Sequence, residues 1–468
     1  MKKLLRLSSF SFIFFLSIAV NAQLLDTASG PRVWLRPNYG VQPLTWLDGS
    51  GHKNNATASN GQFPSTGATM NFNPVLTFDG IDDYLKIPLS FDGLMDFSVI
   101  AVYQTPDTVE RGIWGTENSI TRNVFATTRK ITNPDTLADN YGKNENKAYS
   151  STIIQTWTSA TQATAEAFLS LGTSGKTRTD NPLKGTLAEL LIYNRAISFL
   201  ERAQLETYLG IKYGIGHNGH NYVGSDQKVL WDADKNKVYT NNIAGIGRDD
   251  GYLLTQKQSG SIYDSSLLVV SVGAIATSNQ DNKSTINNGD FLIWGDNGLS
   301  LKDKLGADTL LSVVQRHWMM EASGLSASQM KTTLQVDVSR LAKSTDGYWL
   351  IIDRSGQGNF AANNVEYIKA TNISNGIATY SVKWDTDGSG RDAFSFARAK
   401  DFFAVVKTLG NPTCFDVKGG HVLVEMVAGH APFNYTLKGA TNNTSRTWQG
   451  SDNQIEEKQL TSDIYTAT

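Results

Sequence analysis

Short apolar runs, each bounded by a turn signal, recur along nearly the whole chain, and a chain punctuated this way can only build its core from many paired strands. In the first half the runs are Val33 to Arg36, Val75 to Phe78, Tyr84 to Ile87, Phe97 to Tyr103, Thr152 to Trp157, Glu166 to Leu171 and Thr186 to Tyr193. Asp48-Gly49-Ser50-Gly51, Asp79-Gly80 and Asn181-Pro182 lie between them and supply the left-handed or fixed-φ positions that reversing chains require. Several runs alternate apolar and polar residues, as a sheet with one wet face does. Phe97 to Tyr103 is apolar on nearly both faces, which predicts a central strand. Runs resume after residue 240 with Asn242 to Gly247, Leu267 to Val272, Phe291 to Trp294, Lys331 to Val338, Tyr348 to Asp353, Ala378 to Trp384 and Phe402 to Val406. The expected class is all-β, with stacked sandwiches.

One helix interrupts the pattern. Ser198 and Glu201 have the spacing of a capping box, and Leu200, Ala203, Leu205, Tyr208 and Leu209 form an apolar stripe behind it. Gly210 and the glycines at 214, 216 and 219 are expected to end it, which places a domain boundary between about 210 and 222. Gly214-Ile-Gly216-His-Asn-Gly219 has the letters of a dinucleotide fingerprint, but it follows a helix and opens none, so no helix N-terminus is there to take a pyrophosphate. A second linker is read at Leu409-Gly410-Asn411-Pro412. The predicted organisation is a leader over 1–22, a sandwich over 23–215, a second over 216–410 and a partial β repeat over 411–468.

The leader rests on Lys2, Lys3 and Arg6, the apolar run Phe10 to Val20, and the small residue Ala22. That is the layout of a secretory signal, and its apolar part is shorter than the roughly 20 residues that span a bilayer. Secretion is therefore expected. The 42 Lys and Arg nearly balance the 44 Asp and Glu, and the leader carries three of the basic residues, so nothing points to a nucleic-acid partner. Cys414 is the one cysteine. The fold must then rest on hydrophobic cores, not on disulfides within the chain.

Four stretches, in order, carry a resemblance. Val33-Trp34-Leu35-Arg36, Trp46-Leu47-Asp48-Gly49-Ser50-Gly51, Phe78-Asp79-Gly80-Ile81-Asp82-Asp83-Tyr84-Leu85, and Glu189-Leu-Leu-Ile-Tyr193-Asn-Arg195-Ala-Ile-Ser198 with Tyr208-Leu-Gly-Ile-Lys-Tyr213-Gly resemble the laminin G-like, concanavalin A-like jelly rolls of Bacteroidetes surface proteins. Ile243-Ala-Gly-Ile-Gly-Arg-Asp249-Asp250, Gln256-Lys-Gln-Ser259 and Trp384-Asp-Thr-Asp-Gly-Ser-Gly-Arg-Asp392 are similar to an uncharacterised β-sandwich that follows such domains. From Cys414 through Gly419-Gly420 to Ala431-Pro432-Phe433-Asn434-Tyr435 the tail is similar to the SprB-type repeat of gliding-motility adhesins. That repeat closes with a second Cys, so the resemblance implies a truncated or fragmentary adhesin. It also implies display at the outer face of a Gram-negative cell and a binding protein whose partner is a glycan or a matrix polymer, with an architectural spacer as the rival reading.

The concanavalin-like fold also houses glycoside hydrolases, which set two carboxylates across the scissile bond. Their frequent Glu-x-Asp-x-x-Glu spacing does not occur here, nor does His-Glu-x-x-His or an intact Gly-x-Ser-x-Gly. The expected function is non-catalytic, with a glycoside hydrolase of concanavalin A-like fold and atypical carboxylate spacing as an alternative. Calcium is the one cofactor the residues suggest, because a hard cation wants several oxygens from a tight loop. Asp79, Asp82 and Asp83 form one candidate loop, and Asp385, Asp387, Ser389 and Asp392 the other. The second starts like an EF-hand but has Phe396 where the bidentate Glu belongs, so an ordinary turn competes with a looser calcium site. Trp46, Trp114 and Trp157 are candidate stacking platforms for sugar rings, against the alternative that they are core. Asp26-Thr27-Ala28, Asp107-Thr108-Val109, Asp135-Thr136-Leu137 and Asp308-Thr309-Leu310 fit a short O-glycosylation pattern of exported Bacteroidetes proteins.

Overall fold

The computed structural model describes residues 29–467 except 60, 91–95, 107–108, 117–124, 129–130, 133–149, 159–167, 174–180, 217–218, 265–266, 304–310, 343–346, 361–364 and 413–417, and gives only the backbone of 125, 131–132 and 150–158. The leader, Cys414, the side chain of Trp157 and most of the Asp-Thr motifs lie outside the described residues. What is described is all-β apart from one helix, Phe199–Tyr213, and a few single turns of 3-10 helix.

Alternation along the strands explains the layering. In the first sandwich the strands Val33–Leu35, Lys184–Tyr193, Asp96–Gln104 and Ser150–Thr158 pair in that order, so the two-sided apolar run does lie between neighbours. Val33, Leu35, Val99, Ala101, Leu190 and Ile192 turn one way and meet Trp46, Leu85, Ile87, Ile113, Leu169 and Leu171 of an eight-stranded sheet. Trp34, Ile100, Val102, Leu191 and Tyr193 turn the other way, into a core shared with Leu205, Tyr208 and Leu209 of the helix. In this sheet the strands Lys184–Tyr193 and Asp96–Gln104 are buried on both faces over most of their length.

The second sandwich repeats the device. Ala244, Ile246, Leu292, Trp294, Leu350, Ile352, Phe394 and Phe396 of an eight-stranded sheet face Val270, Leu334, Val336 and Tyr380 of a five-stranded one. Its opposite face is divided. Ile243, Phe291, Ile293, Met319 and Ala393 join the core that holds the helix, whereas Trp349, Ile351, Ala397 and Ala399 pack on Phe403 and Val427 of the tail. The helix is thus a middle layer between two sandwiches.

Two boundaries differ from the sequence expectation. Gly210 does not end the helix; it is buried inside it, and the stop is Gly214, left-handed at φ 66° with its N–H bonded to Gly210 O. The strand Phe403–Gly410, read above as part of the second sandwich, pairs instead with Gly420–Val427 of the tail. The tail then consists of two three-stranded sheets around Val424, Met426, Tyr435 and Leu437. At the helix start the capping box is complete, with Ser198 Oγ accepting the Glu201 N–H at 3.2 Å and Glu201 Oε2 accepting the Ser198 N–H at 2.8 Å.

Candidate functional site

The first acidic loop follows the strand Leu76–Asp79. Asp79 Oδ1 accepts the Ile81 N–H at 2.7 Å, which folds the chain tightly at Gly80, and Asp83 Oδ2 reaches back to the Asp79 N–H at 3.0 Å. One carboxylate oxygen from each of Asp79, Asp82 and Asp83 lies within 4.8 Å of the others, the one such group of three among the described residues. Asp79 and Asp82 are exposed and Asp83 is buried. Burial pushes the Asp83 carboxyl above the ordinary carboxylate range; the Asp79 N–H opposes this, and the charges of Asp79 and Asp82 add to it. Three oxygens held this close fit a hard divalent cation, which would relieve their mutual repulsion. Arg111 limits the set, because its Nη1 stands 3.5 Å from the Gly80 carbonyl and 3.2 Å from that of Pro182.

The second loop uses the same residue types differently. Asp385 Oδ1 accepts the Gly390 N–H at 2.6 Å and Asp387 Oδ1 accepts the Ser389 N–H at 3.1 Å, while the Ser389 hydroxyl donates to the carbonyls of Arg391 and Arg354. Asp392 points inward, where its Oδ2 accepts from Arg354 Nη1 at 2.8 Å and from the Asp385 N–H at 2.6 Å. Arg354 is anchored further by Glu366 and the Lys383 carbonyl. Burial outweighs the attraction of Arg354, so the Asp392 carboxyl is pushed up to about 6. Asp385, Asp387 and Asp392 therefore do not converge, and their oxygens hold the turn together and ground Arg354.

A third polar constellation has no counterpart among the expected site residues. Glu189, fully buried in the strand Lys184–Tyr193, accepts from Trp34 Nε1 at 2.6 Å, Tyr208 OH at 2.7 Å, Tyr213 OH at 2.7 Å and Lys212 Nζ at 2.6 Å. Four donors saturate the carboxylate and join the helix to the sheet. Burial lowers the Lys212 pKa, against the pull of Glu189. The sequence did carry a signal: Glu189 stands in the otherwise apolar Leu-Ala-Glu-Leu-Leu-Ile-Tyr, and Lys212 within the apolar end of the helix. Asp48 plays a comparable part in its own loop, accepting the N–H groups of Trp34, Ser50 and Asn54 and the Ser50 hydroxyl.

The candidate stacking residues Trp46 and Trp114 are both core. Each is at most 1% exposed, packed between the sheets of the first sandwich, so no sugar can reach their faces. Residues 201–389 match the family model of a domain of unknown function, DUF8202. The DUF8202 match begins inside the helix, which fits the helix's packing on the second sandwich, and it ends within the Asp385 loop just before the strand Arg391–Ala399. No curated protein matches the chain.

Proposed function

We propose that the chain is an exported, non-catalytic protein of a bacterial cell surface that binds a glycan or matrix polymer, with calcium held at Asp79, Asp82 and Asp83. The observation that carries this reading is the convergence of those three carboxylates on an accessible loop. A hard cation held by a few protein oxygens keeps coordination positions for other oxygen ligands, and sugar hydroxyls are suitable ones. The sequence likeness of the first sandwich to laminin G-like jelly rolls and of the tail to adhesin repeats supports the same reading, as does the secretory layout of the leader.

A glycan array probed with the full chain, with calcium and with EDTA, tests it. Binding that disappears in EDTA and in Asp82→Asn is the expected result; an array blank under both conditions across host, algal and matrix glycans would remove the proposal. The burial of Trp46 and Trp114, which takes away two aromatic platforms, favours a second reading in which these modules are spacers of a larger adhesin. Under that reading deletion of the first sandwich leaves cell adhesion unchanged.

A further inference from the structure

The end of the helix is gripped from both sides. Strands Thr69–Met70 and Asn73–Pro74 of the first sandwich are joined by a two-residue turn, Asn71-Phe72, with φ of 46° and 65°. Both central residues are left-handed, a conformation that suits Asn but costs a bulky residue such as Phe. The turn recovers that cost through contacts beyond its own module. Asn71 Nδ2 donates to Lys212 O at 3.1 Å and Ile211 O at 3.3 Å on the helix, and to Ser259 Oγ at 2.9 Å on the second sandwich. Asn71 Oδ1 accepts the Gly260 N–H at 2.9 Å, and Phe72 O accepts the Asn279 N–H at 2.8 Å. Asn73 Nδ2 reaches both Lys212 O at 2.6 Å and Gln256 Oε1 at 3.1 Å.

Gly214 completes the grip. Its carbonyl accepts the Ile262 N–H at 3.0 Å, and a Cβ there would stand 2.3 Å from Gly260 O and 3.2 Å from the Asn71 side chain. First sandwich, helix and second sandwich meet at that point with no room for a methyl group. Farther along the helix, Tyr208 stacks on Tyr252 at 5.9 Å, and Gln204 accepts from Tyr252 OH and donates to Gly224 O. Tyr208 also bonds to Glu189 of the first sandwich, as do Lys212 and Tyr213. Orphan carbonyls at a helix C-terminus need partners, and here both sandwiches supply them.

We propose that the Asn71-Phe72 turn is a clasp that makes the two sandwiches, with the helix as a common layer, one cooperative unit at a fixed angle. The inference does not depend on what the loops bind. It is tested on the full chain by calorimetry together with native-state hydrogen exchange. Asn71→Gly keeps the left-handed backbone and deletes the side-chain bonds. Asn375→Gly makes the same exchange at another left-handed Asn, in the exposed turn of a hairpin remote from the junction (φ 50°). The wild type should melt both sandwiches in one transition, with amides of 185–193 and 241–249 sharing their slowest exchange. Asn71→Gly should separate the two sets and speed exchange at Gly260 and Ile262 by about tenfold or more, as loss of buried hydrogen bonds does, whereas Asn375→Gly should leave one transition. If Asn71→Gly does not fold, Ser259→Ala, which removes one contact of the clasp, should speed the same amides by a smaller factor. Two separate transitions in the wild type, or an Asn71→Gly or Ser259→Ala variant no different from Asn375→Gly, would overturn the proposal.

Discussion

The two acidic loops contain nearly the same residues and come to opposite arrangements. In the Asp79 loop the carboxylates converge, Asp79 and Asp82 exposed and Asp83 buried beside them, and the guanidinium of Arg111 bonds to backbone carbonyls of Gly80 and Pro182. In the Asp385 loop the last carboxylate, Asp392, turns under the sheet to Arg354, and the others are consumed by N–H groups of their own turn. Counting oxygens in a loop says what it could ligate; where a cationic partner from elsewhere in the chain enters decides whether the oxygens converge.

Removing that partner should produce the largest effect. In Arg354→Met, Asp392 is left buried beside a single N–H donor, and loss of one member of a buried pair costs about 3 kcal/mol or more. Chemical denaturation measures it, with Asp82→Asn in the first loop as the counterpart, expected within about 0.5 kcal/mol of wild type in the absence of metal. If Arg354→Met were as mild as Asp82→Asn, the distinction between a loop that grounds an arginine and one that only gathers its carboxylates would be lost.

Acidity sharpens the contrast in a second way. The Asp392 carboxyl titrates near 6 in the folded chain and near 3.9 when unfolded, so between those values the folded state holds the extra proton. Its contribution to stability is full below about pH 4 and is lost as pH rises through about 6, at most about 2–3 kcal/mol. Asp392→Asn should flatten that part of the stability profile. Burial raises Asp296 and Glu321 in the same sandwich too, so some slope of the same sign should survive. A profile unchanged by Asp392→Asn would show that Arg354 keeps the carboxylate ionised throughout.

Local pattern was enough for much of this. The double-sided run at Phe97 to Tyr103 marks the strand between two others, and Ser198 with Glu201 marks the helix start, because both signals lie within a few residues of what they specify. The helix end was harder, since Gly210 and Gly214 look alike in sequence and only Gly214 takes the left-handed conformation. Pairing was harder still: Phe403–Gly410 has the composition of any strand here, and only its register with Gly420–Val427 assigns it to the tail. The candidate site follows the same rule. Asp79, Asp82 and Asp83 are near neighbours, so their convergence could be read from sequence, whereas Arg354 meets Asp392 from 38 residues away and Glu189 gathers donors as much as 155 residues distant.

Calcium provides the remaining discrimination. A ligand that binds only the folded state stabilises it by RT ln(1 + [L]/Kd), about 1.4 kcal/mol at ten times Kd, and the rise in melting temperature should vanish in Asp82→Asn but persist in Asp387→Asn. The sign of the pH dependence at the first loop should reverse with it. Without calcium the Asp83 carboxyl lies above its ordinary range, so its contribution fades as pH rises through its folded value. A bound cation favours the ionised form and draws the folded value below the unfolded one, so that stability is instead lost on acidification. The Asp385 loop, whose positive charge is the covalently fixed Arg354, should show no such reversal. A calcium-induced shift that survives Asp82→Asn but is lost in Asp387→Asn would exchange the roles assigned to the two loops.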